Sequence, residues 1–340
     1  MDVIIPCLVW PAIIVVPLVL THNDLYKNVF PAEWYDTAPR DFWYNSTGLW
    51  PSPVGLSLGL LTVIVGQAFM LIYFINWKAG KFGGELHPIQ KEGAPKYVVW
   101  EGLKIHLAQP EGFVLLGGYL ILTWMFGLMP ASYYSFTGGI NWWHVALQLL
   151  IQDGVQALMH MLEHGVDKRI YRVTHKPHHR FVNPKLFDAF NGSTADTVCM
   201  ILIPLMITAR LVNANVWSYM AFGSLYANWL TLIHSEYVHP WDHIFRKIGF
   251  GTAADHHVHH KLFIYNFGHL FMLVLFLIIL CTQYDVGACF FTSGTGINLP
   301  ELTKIPQRLP SLTRVFNMIM EKRSHYMNCA MLSCQLASTN

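Results

Sequence analysis

The chain has 340 residues, 53% hydrophobic and only 12% charged, against a usual charged share of about 25%. That composition argues against an ordinary soluble domain and for a membrane protein. A net charge of +2 is too small to argue for a nucleic-acid partner, and six scattered cysteines without a C-x-x-C pair suggest neither a disulfide framework nor a zinc finger.

Crossing about 30 Å of hydrocarbon takes roughly 20 apolar residues. Val3–Leu20 is the first such window. Asp2 stands where a signal peptide carries positive charge, and no clear small-residue cleavage site follows, so an uncleaved anchor is expected. Val54–Asn76, Phe113–Ala131 and a window from Trp142 towards Met161 are the next three. Thr197–Ala209 and Val216–Ile233 are shorter, separated by Arg210, Asn213 and Asn215, and read as a helical hairpin dipping into the bilayer. A last apolar run covers Phe271–Cys281. The expected fold class is all-α: an integral membrane helical bundle of about four spans plus the short hairpin.

Lysine placement sets the orientation. Trp77–Glu111 holds Lys78, Lys81, Lys91, Lys96 and Lys104, whereas Thr21–Pro53 holds only Lys27 and Arg40. The first loop is therefore expected in the cytosol. The sequon Asn45-Ser46-Thr47 falls in the other, lumenal loop. A second sequon at Asn191 lies among basic residues and reads as chance.

Twelve of the eighteen histidines lie between positions 160 and 260. His160 and His164 form H-x-x-x-H at the end of the fourth window. His175, His178 and His179 form H-x-x-H-H, and His256, His259 and His260 repeat it, with His257 as an extra. His234, His239 and His243 lie between. Residues three and four apart share a helix face, so each motif aims several imidazoles one way. Any one motif alone reads as ordinary surface histidines. Three on the same expected side read as a metal site, and neutral imidazole with few carboxylates favours iron, zinc or copper over calcium or magnesium. Asp153 and Gln156 share the helix face of His160 and His164. Both are candidates to hold an imidazole N–H from behind. Asp196 and Asp255 are further options, equally compatible with helix-cap or loop roles.

The segments "HMLEH", "HKPHH" and "DHHVHHKLFIYNFGHLF" resemble, in order and spacing, the three histidine boxes of the membrane fatty-acid hydroxylase and sterol desaturase superfamily. The resemblance covers Trp142–Phe271, and "THKPHH" with the later Y-N-F-G looks most like the sterol 5-desaturase branch. It implies a multi-pass enzyme of the endoplasmic reticulum membrane with a cytosolic, histidine-rich two-metal cap. The implied metal is two iron ions, which zinc can replace on purification. Carried over residue by residue, the implied ligands are His160, His164, His175, His178, His179, His256, His259 and His260. His234, in "LIHSEY", matches the usual ninth. His239 and His257 are weaker candidates, and His243 reads as a surface residue. His22, His87, His106, His144, His269 and His325 match nothing and are expected to be structural or solvated. The family draws electrons from a b-type cytochrome and its reductase. No haem motif is present in this chain, so the donor is expected to be a separate protein.

The likeness divides the chain into membrane spans and a cytosolic loop (1–141), a catalytic domain (142–271) and a divergent tail (272–340). After "NFG" the family continues with an aromatic-Trp-Asp stretch, whereas this chain runs "HLFMLVLFLIILCTQY". The expected function is an iron-dependent, dioxygen-using oxidoreductase acting on a membrane lipid. A sterol comes first as substrate, a fatty-acyl chain or ceramide next, and squalene by a superfamily epoxidase with the same ligand logic. The rivals are a catalytically silent relative, suggested by the tail, and a metal transporter. Transport sites sit near the bilayer midplane on broken helices, and these motifs cluster at span ends.

Overall fold

The structure is a computed structural model that describes residues 3–35, 51–82, 85–107, 110–165, 167–263 and 266–271. The apolar run Phe271–Cys281 beyond its first residue, the tail 272–340, His325 and the Asn45 sequon lie outside the described residues. Among the described residues the chain is helical, with two isolated β-bridges, Pro88 with Tyr237 and Phe250 with Phe271.

The helices that position the site are α1 (Ile4–Ala12), α2 (Val15–Asp24), α3 (Pro53–Lys78), α4 (Val99–Leu107), α5 (Pro110–Met125), α6 (Trp142–Gly165), α7 (Thr194–Leu211), α8 (Val216–Leu232) and α9 (Ala253–Leu262). By length and composition α3, α6 and α7 can each cross a membrane, and α1 with α2 makes a fourth if the bent pair is one span. The protein is a membrane-embedded helical bundle.

Three expectations about the spans change. The first window is not straight: α1 and α2 meet at 63°. Pro17 cannot donate to the carbonyl of Ile13, four residues back, and its ring crowds that carbonyl. The freed oxygen accepts the Ser224 hydroxyl of α8 at 2.5 Å instead. The helix of the third window ends at Met125, short of the expected Ala131. The expected hairpin is unequal. Its first arm, α7, is an 18-residue helix long enough to span. It carries a π-helical turn at Val198–Leu202, which ends two residues before Pro204, and the wider turn accommodates the missing proline donor. The second arm, α8, is buried along much of its length between α3 and α6, with Trp217, Ala221 and Asn228 inaccessible.

Caps and clamps fix the ends that matter. Ser52 caps α3 and Asn215 caps α8. Lys78, at the end of α3, pairs with the buried Glu236 at 2.9 Å. Glu236 also accepts from the Tyr97 hydroxyl at 2.8 Å and the Leu186 amide at 3.2 Å. One carboxylate thus ties α3 to the loops around the second and third histidine boxes.

Candidate metal centre

The nine histidines implied as ligands come together in two adjacent groups. His160 and His164 from α6 meet His175, His179 and His259, and the ligand atoms lie within 4.8 Å of one another. His178, His234, His256 and His260 form the second group under the same limit. Each H-x-x-H-H segment contributes to both. On α9, His256 and His260 join the second group, whereas His259, next in the chain to His260, joins the first. The His179 and His260 rings, one from each group, are 4.9 Å apart.

The nitrogen spacing fits bound ions. In the second group Nε2 of His234 is 3.3 Å from that of His178 and 3.0 Å from that of His256, which is 3.0 Å from that of His260. In the first, Nε2 of His179 stands 3.1 Å from those of His164 and His259. Nitrogens about 2.1 Å from one ion lie roughly 3.0 Å apart at right angles and about 3.4 Å apart in a tetrahedron. Neutral imidazoles crowded this way have too few hydrogens to bond every pair. Nε2 of His160 and of His175 is buried without any partner.

Several rings are turned by a bond on the far nitrogen. His160 Nδ1 faces the Phe267 carbonyl at 3.0 Å, His234 Nδ1 that of Leu230 at 2.7 Å, and His178 Nδ1 that of Asn191 at 3.4 Å. A carbonyl only accepts, so Nδ1 carries the proton and Nε2 keeps its lone pair for the site. His175 Nδ1 makes the corresponding bond to Asp196 Oδ1 at 2.5 Å. Burial pushes His175 down to about 3 and His178 down to about 4, so both stay neutral at physiological pH, as a ligand must.

Of the four candidates to hold an imidazole from behind, with cap or loop roles equally open to Asp196 and Asp255, Asp196 alone contacts a ligand ring. The Asp153 carboxylate accepts the backbone amides of His269, Leu270 and Phe271 at 2.7–2.9 Å. It holds the chain after the third box against α6. Gln156 accepts from the Tyr226 hydroxyl of α8. Asp255 caps α9 with Thr252 and pairs with Arg246 at 3.1 Å. The shared helix face was a poor guide because buried amides and hydroxyls compete for the same carboxylates.

The two weaker ligand candidates lie outside both groups. His257 faces the Ser235 carbonyl through Nε2 at 3.0 Å and the Gln90 amide through Nδ1 at 3.2 Å, leaving no free lone pair. His239 lies between Trp77 and Trp241, with ring centroids at 4.6 and 4.7 Å, and its Nδ1 bonds the Tyr73 hydroxyl. His243 is exposed, as expected. His269 is buried, its ring 5.5 Å from that of His160 and 5.0 Å from that of His256.

Glu163 was missed. It is buried, its carboxylate is 3.6 Å from His175 Nδ1, and neither oxygen has a hydrogen-bond partner. Glu163, His175 and Asp196 together form a third group with ligand-like spacing. Its signal lay inside the first box: Glu163 follows His160 by three residues and shares its face.

A small pocket of about 40 Å³ lies against the groups, lined among others by His175, His178, His234 and His269. Phe190, Ile201 and Leu230 line both this pocket and a larger apolar cavity of about 310 Å³ among α3, α5, α7 and α8.

The family model described as fatty acid hydroxylase matches residues 145–277. Over 269 residues, 78% of this chain and 76% of the relative, the sequence is 56% identical to the alternative squalene epoxidase of Phaeodactylum tricornutum. The chain belongs to the fatty acid hydroxylase family. As a member of this family within the hydroxylase and desaturase superfamily, it is a lipid-oxidising membrane enzyme, with histidine groups able to bind metal. No solved structure matches it.

Proposed function

We propose that this fatty acid hydroxylase family member epoxidises squalene, or an acyclic polyisoprenoid hydrocarbon like it, using dioxygen at two iron ions. The observation that carries the reading is the 56% identity, over three quarters of both chains, to a protein named alternative squalene epoxidase. The apolar cavity beside the histidine groups supports it.

His160, His164, His175, His179 and His259 would hold one ion and His178, His234, His256 and His260 the other. When bound, the iron pair supplies dioxygen activation, which no side chain here can provide. Overall, one oxygen atom adds across a carbon–carbon double bond, and the other leaves as water with two electrons and two protons. The chain's own residues do the rest. Asp196 and the carbonyls of Phe267, Leu230 and Asn191 keep the Nδ1 protons in place and the rings aimed. Phe190, Ile201 and Leu230, which line both the small pocket and the apolar cavity, would help to keep bulk water from the reacting end.

The proposal includes a separate b-type cytochrome and its reductase as donors, and an endoplasmic reticulum location with the histidine boxes in the cytosol. A cysteine placed at the exposed Lys176, beside His175, is expected to react with impermeant reagent from the cytosolic face only.

The likeness of "THKPHH" to the sterol 5-desaturase branch favours a second reading, sterol desaturation. Product analysis decides between them in sterol-auxotrophic cells supplied with squalene, candidate sterols and fatty acids. Formation of 2,3-epoxysqualene is the expected outcome. A new sterol double bond without epoxide would establish the second reading.

A further inference from the structure

The apolar cavity runs alongside α8 from Leu230, next to the histidine groups, to Met220 at its far end. Ten residues of helix separate the two, a reach of about 15 Å. Of the four polar side chains in its wall, Thr123, Trp124, Tyr219 and Tyr226, three are engaged and the Tyr219 hydroxyl is not. The Thr123 hydroxyl donates to the Tyr119 carbonyl, Trp124 Nε1 to the Ser52 carbonyl, and the Tyr226 hydroxyl to Gln156. These three groups offer no spare donor to a substrate head group. An occupant that is hydrocarbon along its length fits this wall.

Four glycines line the same cavity, and they are not equivalent. A Cβ at Gly55 would stand 2.3 Å from the Trp124 ring, so that glycine lets α3 and α5 approach. Gly117 of α5 and Gly223 of α8 are different: a Cβ there would meet nothing within 4 Å. At Gly59 of α3 it would meet only Met220 Cγ, at 4.0 Å. Packing does not require glycine at these three positions. All have φ outside the positive region, so backbone conformation does not require it either. Glycine inside a helix is unfavourable relative to alanine. What the missing side chains leave is open volume on three walls of one cavity.

We propose that Gly59, Gly117 and Gly223 determine substrate specificity by keeping the far reach of the cavity open for the distal chain of a long, flexible, acyclic hydrocarbon. Its terminal double bond lies at the Phe190–Ile201–Leu230 neck. The inference rests on the epoxidase reading for the identity of the chain. The cavity-filling role of the three positions can be measured without turnover.

The test compares wild type, Gly117→Leu, Gly223→Leu and the triple variant Gly59→Ala/Gly117→Ala/Gly223→Ala. Two substrates are used: squalene and a linear isoprenoid hydrocarbon of half its length with the same terminal group. The leucine variants are expected to lose at least tenfold in kcat/KM for squalene and to stay within about threefold of wild type for the short hydrocarbon, with unchanged metal content. Equal losses on both substrates, or no loss on squalene, would overturn the proposal. The alanine triple keeps the test alive if a leucine variant does not fold. Each added methyl has room, so its Tm is expected to hold or rise while squalene turnover falls. A triple variant with undiminished squalene turnover would also overturn it. Equilibrium binding of labelled squalene to detergent-solubilised protein separates the two readings. If wild type binds squalene, releases no epoxide, and Gly117→Leu binds at least tenfold more weakly, the cavity inference stands and the epoxidase reading fails. If wild type does not bind squalene, both fail.

Discussion

Asp153 and Leu270, 117 positions apart, meet in a 2.7 Å hydrogen bond from the Leu270 amide to the Asp153 carboxylate. The neighbouring amides of His269 and Phe271 join them on the same side chain. The segment so held carries the Phe267 carbonyl that orients His160. A residue in the middle of a transmembrane helix thereby fixes the chain that follows the third histidine box.

Asp153→Ala is expected to leave the two buried amides of His269 and Leu270 without an acceptor, at about 1–3 kcal/mol each, and the half-buried Phe271 amide as well. The variant should melt well below wild type in detergent and bind less metal. A Tm within a degree or two of wild type, with full metal content, would show that the clamp is dispensable.

Asp196 is the carboxylate that reaches a ligand ring, at 2.5 Å from His175 Nδ1. Groups in this position typically contribute 10–100-fold in metal affinity or activity. Asp196→Asn should therefore lower metal occupancy at limiting iron, with a smaller loss at saturating iron. Metal titration followed by elemental analysis reads both. Unchanged affinity would leave His175 oriented by Glu163 alone.

His178 and His257 are both buried but differ in their free nitrogens. His178→Ala should remove one of four second-group nitrogens and abolish turnover while the protein still inserts. His257→Ala should keep its metal and most of its activity, and lose only about 1–3 kcal/mol of stability from the unpaired Ser235 carbonyl. Zinc in either sample is compatible with a site that works with iron, because imidazole sites rank zinc above ferrous iron. Equal metal loss in the two variants would overturn the ligand division.

His106 gives the fold a measurable pH dependence. It is buried on α4 against Phe187 and Phe190, and burial pushes it down to about 4 from 6.5. The unfolded chain takes up its proton first, so acid favours unfolding between pH 6.5 and 4. Above 6.5 both states are neutral and the residue contributes no slope. The stability of wild type relative to His106→Phe should therefore fall by up to about 1.4 kcal/mol per pH unit as the pH drops through that window. Melting curves of both proteins at pH 7.5, 6.5 and 5.5 test it, and parallel curves would show that His106 is not buried as a neutral group.

The sequence by itself determined the class of molecule and eight of the nine histidines that converge; the ninth, His234, stands in no histidine motif and was legible only through the family resemblance. Low charge and long apolar windows leave few alternatives to a membrane bundle, and imidazole spacing is local, so H-x-x-x-H and H-x-x-H-H are legible without a fold. Tertiary structure decided how the nine divide. His259 parts from His256 and His260 because the fold sets His179 against the one and His234 and His178 against the others, and the order of residues does not encode that. It also decided which carboxylates serve the rings. Asp153, Asp196 and Asp255 were all candidates by sequence, yet one clamps distant amides, one holds His175 and one caps a helix. Hydrogen-bond partners of a buried carboxylate come from whatever the fold brings near, over separations no local pattern spans. Glu163 carried a local signal, three residues after His160, but its burial beside His175 was legible only in the fold. The space at Gly59, Gly117 and Gly223 had no local signal: a missing side chain signals a cavity only once three helices are placed around it.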